Sequence, residues 1–317
     1  RSSDLQIDNS VVPENYYNDF VDALKSSFKI DIDKFINTLS LYVNYEDNIG
    51  SFYPLQFSVI FSAYLDIELD EFRDFMNGLI ISKDNKRSLE DIVFKPNSLY
   101  RLIYRPFVEW KIDDTKRILY TIDSVLESFD QLAKNVITFG EKPDSWQYND
   151  SFMSFVNTQQ DIHEKWLIDS VTSNLSDLSL FHDKNVKKLL LEKTSIHLNN
   201  EFDILIVSIQ SKEILVCECK YFKGRFDIQN QLIDYNKLTN KFNKKLENKI
   251  QIAKENITNI ESHFKRKIEY FDYNISSFTI EGLFIINTPT FYQHLDSPFK
   301  IISLSEVKDF LRDRYSD

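Results

Sequence analysis

The sequence predicts two domains: a mainly α-helical one, then an α/β one built on a mixed sheet flanked by helices. Three observations carry this reading. Up to about residue 145 the apolar residues recur at helical spacing. From about residue 155 a helix, several strand-like apolar runs, a long charged helix and a further strand follow one another. Between them, GEKPDSWQYNDS (140–151) gathers Gly, Pro, Asp, Ser and Asn, the composition of a boundary. A length of 317 residues suits about two domains, placed at 1–145 and 155–317.

In the first domain, YYNDFVDALKSSF, DKFINTLSLYV and LDEFRDFMNGLII read as amphipathic helices. PFVEWKIDDTKRILYTI alternates apolar and polar residues around Asp113-Asp114, which predicts a hairpin. DSVLESFDQLAKNVITF reads as a helix ended by Gly140. This half has no histidine, and its acids fall on solvated faces. It is expected to be a scaffold, or to recognise a partner protein or a substrate. In the second domain a helix is expected over about 158–178. Strands follow in TSIHL, FDILIVSI and EILVCECK, then a long charged helix over about 228–266, a strand in FTIEGLFIIN and a closing helix in SEVKDFLRDRY.

Hydrophobic residues make up 42% of the chain, with 5 Gly and 7 Pro, which indicates a well-packed globular protein. No run of about 18 uncharged residues occurs, so no transmembrane helix is expected. RSSDLQIDNS lacks an apolar core and a cleavage site, so it is not read as a secretion signal. A start at Arg1 suggests a piece of something longer. The net charge of -11 gives no support to nucleic-acid binding by the molecule as a whole, so any such binding needs a local basic face. Cys217 and Cys219 lie two apart on one predicted strand, a spacing that strains a disulfide and falls short of a structural zinc set. They are expected to be reduced core thiols, and the protein cytoplasmic.

The chemistry is concentrated in one hairpin. If Gln210-Ser211 centre the turn between DILIVS and EILVCECK, Asp203 lies directly opposite Glu218 on the same sheet face. Lys220 shares that face, because the strand period is two. Two close carboxylates repel unless a cation sits between them. A lysine could neutralise one of them. A hard divalent ion could satisfy both and keep waters for a nucleophile, which suits hydrolysis of a phosphodiester. An ordinary surface ion pair is the plainer reading of Glu-x-Lys. The apolar ILVC run argues instead for an inner strand, where such charges need a purpose.

Asp203, fourteen residues, then Glu218-Cys219-Lys220 resembles the PD-(D/E)xK nuclease superfamily, and NEFDILIV…ILVCECK is similar to its resolvase-like and restriction-type members. The resemblance covers about 155–290 and implies a restriction-endonuclease-like fold. It implies that Asp203, Glu218 and the main-chain carbonyl of Cys219 bind Mg²⁺, with Mn²⁺ as a substitute, and that Lys220 serves the attacking water. The proline found before the first acid in the family is replaced by Phe202. The family commonly adds an acid from the preceding helix. Glu164 is the candidate, since it stands three and four residues before Leu167 and Ile168 of the apolar stripe that continues to Val171 and Leu175. A solvated first turn is the alternative for it. Glu201, two before Asp203, is a candidate for a second-metal role.

QLIDY places Gln231 and Tyr235 on one helix face, similar to the Q-x-x-x-Y of RecB-type exonucleases. Lys237, Lys241, Lys245 and Lys249 recur every four residues, about 6 Å of helix rise, and offer either a phosphate-tracking face or a solvated one. Leu246, Ile250, Ala253, Ile257, Ile260 and Phe264 are expected to pack on the N-terminal domain or on a second copy. The five histidines show no metal-ligand spacing, and no Gly-rich phosphate loop occurs.

The expectation is a Mg²⁺-dependent nuclease acting on DNA, in a setting such as phage defense or restriction, and without membrane association. Two-strand cutting would call for a homo-oligomer. An inactive nuclease-fold binding or assembly subunit, and an RNA-cleaving nuclease, are the alternatives.

Overall fold

The computed structural model describes residues 15–44, 46–83, 101–112, 114–175, 178–222 and 228–315. The chain is a mixed α/β protein that divides into two compact units, Arg1–Ile162 and His163–Asp317. The division falls further along than the 140–151 stretch, which lies inside the first unit.

In the N-terminal unit, α1 (Tyr16–Phe28), α2 (Ile32–Ser40), α3 (Pro54–Leu65), α4 (Leu69–Asn77) and α5 (Ile122–Phe139) surround a small sheet. Their ends follow local chemistry. Asp31 accepts from the Lys34 N–H to cap α2, Pro54 opens α3, and Thr121 and Ser124 form a capping box on α5. Gly140 closes α5 at φ +63°, where a side chain would be strained. The apolar stripes meet in an aromatic core that includes Phe35, Phe57, Phe61, Phe72, Phe107, Phe129 and Trp146.

The hairpin expected around Asp113-Asp114 is present as β4 (Phe107–Ile112) and β5 (Thr115–Tyr120). Its innermost pair is Ile112–Thr115, and Asp114 takes φ +63°, while Asp113 lies outside the described residues. The sheet is larger than that hairpin. β1 (Val43–Asn44), β2 (Ile49–Phe52) and β3 (Ile80–Ile81) complete the order β1-β2-β5-β4-β3. β3 was expected as the tail of a helix. That helix ends at Asn77, and a Cβ on Gly78 would stand 2.5 Å from the Trp146 indole nitrogen.

The chain crosses the division within α6 (Asp150–Asn174), which starts earlier than the helix expected from about 158. Leu167, Ile168 and Val171 of α6, and Leu175 just past its end, are buried as expected. The C-terminal sheet contains β6 (Phe181–Leu190), β7 (Ser195–Ser208), β8 (Glu213–Lys220), β9 (Thr279–Ile286) and β10 (Lys300–Ser303), in the order β10-β9-β8-β7-β6. β6, β7 and β8 are antiparallel neighbours, and β8, β9 and β10 are parallel. Every residue of β8 is buried, as a central strand covered on both faces requires.

Strand alternation divides the core in two. Ile204, Ile206, Leu215, Cys217, Cys219, Leu283 and Ile285 face α6 and α10 (Val307–Tyr315). Leu205, Val207, Val216, Phe284 and Ile286 face the helices between β8 and β9. Both cysteines are free, and burial pushes both thiols up. Among the described residues no helix is long and apolar enough to cross a membrane.

The long charged helix is not continuous. It runs as α7 (Ile228–Asn236), a π-helical turn at Lys237–Phe242, α8 (Asn243–Glu255) and α9 (Ile257–Lys267), interrupted at Asn256. Leu246, Ile250, Ala253, Ile260 and Phe264 are buried against this unit's own sheet, with Ile257 partly buried beside them. The apolar stripe is therefore already used, and the expectation that it docks on the N-terminal domain or a second copy is corrected.

At the far end of β8, Glu213 is held by Arg314 (Nε–Oε2 2.9 Å) and by the Tyr315 hydroxyl at 2.6 Å, which ties α10 to the sheet. Burial would raise the Glu213 carboxyl, but Arg314 and Tyr315 outweigh it and hold it below its ordinary value of 4.5. A depressed carboxyl stabilises the fold above that value and loses this contribution as the pH falls through its folded one. Arg314→Ala is expected to cost about 2 kcal/mol at pH 7. The deficit relative to wild type should shrink when denaturant midpoints are measured at pH 3.5. A deficit independent of pH would mean that Arg314 acts by packing alone.

Candidate active site

The β7–β8 register pairs Ile204 with Cys217 and Ser208 with Glu213, so Asp203 and Glu218 are the next pair outward. The ladder gives way there: the Cys219 N–H donates to Asp203 Oδ2 at 2.8 Å. β8 is held on its other side by β9, with pairing that extends to Lys220–Ile286. The Asp203 side chain thus takes the place of a main-chain acceptor at the end of this ladder. Glu218 and Lys220 share the sheet face of Val216, toward α8, while the Cys219 side chain lies in the opposite core. Cys219 offers the site its main chain only.

The charges converge tightly. Lys220 Nζ lies 2.9 Å from Glu218 Oε1, and Lys245 Nζ, one helical turn before Lys249 on α8, lies 3.4 Å from the same oxygen. Lys249 bridges the acids, donating to Asp203 Oδ1 at 2.8 Å and to Glu218 Oε2. Glu218 is 0% exposed and the Lys249 side chain 1%. Burial would raise the Glu218 carboxyl, but Lys220 and Lys249 offset it and hold it below the usual value. Burial would lower the Lys220 ammonium, yet Glu218, Asp203 and Glu164 together raise it, so Lys220 stays charged. The same ammonium stands 5.3 Å from the Phe242 ring centroid, a cation–π contact from the π-helical turn.

This cluster opens into a polar cavity of about 550 Å³, whose lining includes Asp203, Lys220, Lys245, Lys249, Glu164 and Glu201. Lys187, His197, Asn199 and Asn200 line it as well, from the part of the β6–β7 pair that runs beyond the end of β8. No feature of the sequence reading pointed to those four. Glu201 is paired with Lys187 at 3.4 Å.

Of the two expectations for Glu164, the solvated one describes its exposure, although it stands within α6 and not in its first turn. It is exposed at the cavity rim, and His163 takes the inward position of α6, stacked on Tyr221 at 4.8 Å. The reason is helical phase: His163 stands four before Leu167 and continues the buried stripe that Glu164 was assigned to. α6 also covers the opposite sheet face, so Glu164 reaches the site only around its edge and acts on Lys220 through its charge.

The lysine series divides as well. Lys237 is exposed near Asp234 at 3.7 Å, and Lys241 is exposed beside Phe242. Lys245 is half-exposed at the cavity, and Lys249 is buried in the carboxylate pair rather than displayed to a strand of nucleic acid. The sequence held a signal for this. Leu246, Lys249, Ile250 and Ala253 are spaced as one buried stripe of α8. Tyr235 donates its hydroxyl to the Asp296 carbonyl at 2.7 Å, a fastening of the fold. Gln231 and Tyr235 are not among the described residues that line the cavity.

The site fits a hard divalent ion in its donor chemistry. Two carboxylates from adjacent strands face each other, and Glu218 Oε1 is fully buried yet accepts no aligned hydrogen bond despite the ammonium groups beside it. Among the described residues no group of three or more His, Cys, Asp or Glu could hold a metal ion. The protein would therefore supply two acidic ligands and leave the remaining positions to main chain and water, as Mg²⁺ tolerates.

The fold and this cluster define a mixed α/β unit with a charged, buried strand end. No protein-family model matches the chain, and no curated protein does. Among solved structures it is similar to protein VC1899 from Vibrio cholerae, at 11% identity and a TM-score of 0.22. That alignment covers 96% of this chain and 57% of the other, so the chain spans little more than half the length of VC1899.

Proposed function

We propose that the C-terminal unit is a PD-(D/E)xK-type nuclease domain with a restriction-endonuclease-like fold, hydrolysing phosphodiester bonds in DNA with Mg²⁺. The observation that carries this is the meeting of Asp203, Glu218 and Lys220 at one buried strand end, beside a polar cavity with lysines on its walls. Asp203 and Glu218 would hold the ion. When bound, a divalent ion supplies charge neutralisation at the scissile phosphate and a more acidic water. Lys220 is fixed by Glu218 and Phe242, so its ammonium presents a constant charge to the attacking water and to the phosphate oxygens. Lys245, half-exposed, provides a cation for the flanking backbone. A role in restriction or phage defense follows from analogy with the superfamily.

A second reading, a binding or assembly subunit of the same fold without activity, is favoured by one observation. The Lys249 ammonium already bridges the carboxylate pair and, together with Lys220, balances its charge. Plasmid, linear duplex, single-stranded DNA and RNA should be incubated with the protein in Mg²⁺, in Mn²⁺ and in chelator. The nuclease reading expects metal-dependent cutting of DNA that stops in chelator. Cutting confined to RNA would keep the site and change the substrate. No cutting of any of them, together with no Mn²⁺ binding, leaves the second reading.

A further inference from the structure

We propose that Lys249 is the built-in counter-cation of the Asp203–Glu218 pair, and that a divalent ion must displace it to bind. The inference rests on the nuclease reading of this site and concerns how its metal loading is controlled. Each carboxylate oxygen that faces the gap is already engaged. Asp203 Oδ2 accepts from the Cys219 N–H, while Asp203 Oδ1 and Glu218 Oε2 both accept from Lys249. The remaining oxygen, Glu218 Oε1, is flanked by Lys220 and Lys245. An ion that bridges the two acids therefore needs the oxygens that Lys249 holds. Lys249 occupies the bridging position between Asp203 Oδ1 and Glu218 Oε2, so an ion can enter that position only as the ammonium leaves it.

The geometry also gives the displaced group somewhere to go. Lys249 lines the cavity, and Lys245, on the same face of α8, already stands half-exposed at it. A flexible four-carbon stem lets the ammonium swing into that space without moving the helix. There it meets the region where a phosphodiester backbone would lie. An anionic strand in the cavity would stabilise the displaced lysine, so metal and nucleic acid should each tighten the binding of the other. Lys249 thus sets a threshold: the site fills with metal most readily when substrate is present.

The test is Mn²⁺ binding, followed by calorimetry and by the spin signal of free Mn²⁺, on the full chain, with and without a short DNA duplex carrying a non-hydrolysable backbone. Lys249→Met removes the competing charge and keeps the stem. It should bind Mn²⁺ at least about tenfold more tightly than wild type, and added duplex should strengthen its binding less than it does for wild type. Lys249→Arg retains a cation and should bind Mn²⁺ no more tightly than wild type. If Lys249→Met proves poorly folded, the Lys249→Arg comparison and the Mn²⁺-induced rise in the wild-type melting temperature with and without duplex still decide. Equal or weaker Mn²⁺ binding by Lys249→Met, while wild type binds Mn²⁺ and cuts DNA, would overturn this inference and leave the nuclease reading intact. Absence of Mn²⁺ binding and of cutting in wild type and variants alike would overturn both.

Discussion

Lys220→Met is expected to lower metal-dependent cleavage by about 10²–10³-fold, the loss typical when one preorganised charge is removed from a reacting centre. The expectation comes from the way Lys220 is held. Its side chain is 10% exposed, its ammonium lies 2.9 Å from Glu218 Oε1, and the Phe242 ring stands beside it. A charge fixed this firmly costs little reorganisation when negative charge builds on a phosphate. Lys220→Arg should not restore activity, because a planar guanidinium cannot occupy the place of a compact ammonium between Glu218 and Phe242. Lys187→Ala is the matched control. Its side chain is 74% exposed on the cavity wall, and its loss should weaken substrate binding by only a few-fold. Mn²⁺ affinity should survive in Lys220→Met, which separates a fault in chemistry from a fault in metal loading. Cleavage within tenfold of wild type would remove Lys220 from the reacting centre.

The parts of this molecule that could be read from its sequence are those set by local rules. The β4–β5 hairpin was legible because six-residue alternation flanks a two-residue turn with an aspartate able to take positive φ. The β7–β8 register was legible because a short polar turn fixes which residues oppose each other, and that alone brings Asp203 to Glu218. β6 was hidden. Its buried residues Asp183, Val186 and Leu189 recur every third position, since a bulge between Val186 and Lys188 and the positive φ of Asn185 break the strand period. β1 and β3, of two residues each, carry no period at all and exist only because the sheet edge is there to receive them. Lys249 was misread for a different reason. Its place among Leu246, Ile250 and Ala253 marked it as buried, but four-residue lysine spacing hides that signal until the sheet beneath is known to end in two carboxylates.

Glu218→Leu is expected to destabilise the protein by about 3–5 kcal/mol, the cost of breaking a buried ion pair from one side. Lys249 and Lys220 are themselves buried, and Lys245 stands near, so removing Glu218 leaves three ammonium groups facing Asp203 alone. The cavity that these lysines line offers their ammonium groups only partial relief, because Leu246 and Ile250 fix α8, which carries Lys245 and Lys249, against the sheet. The double variant Glu218→Leu/Lys249→Met should then recover much of the loss, because it exchanges the buried pair for apolar side chains of similar size. Denaturant unfolding of the four proteins at pH 7 in chelator measures this as a coupling of about 3 kcal/mol or more. Strict additivity would mean that Lys249 and Glu218 do not depend on each other. In that case the lysine is merely close to the acids, and neither the neutralised pair nor its displacement by a divalent ion describes this site.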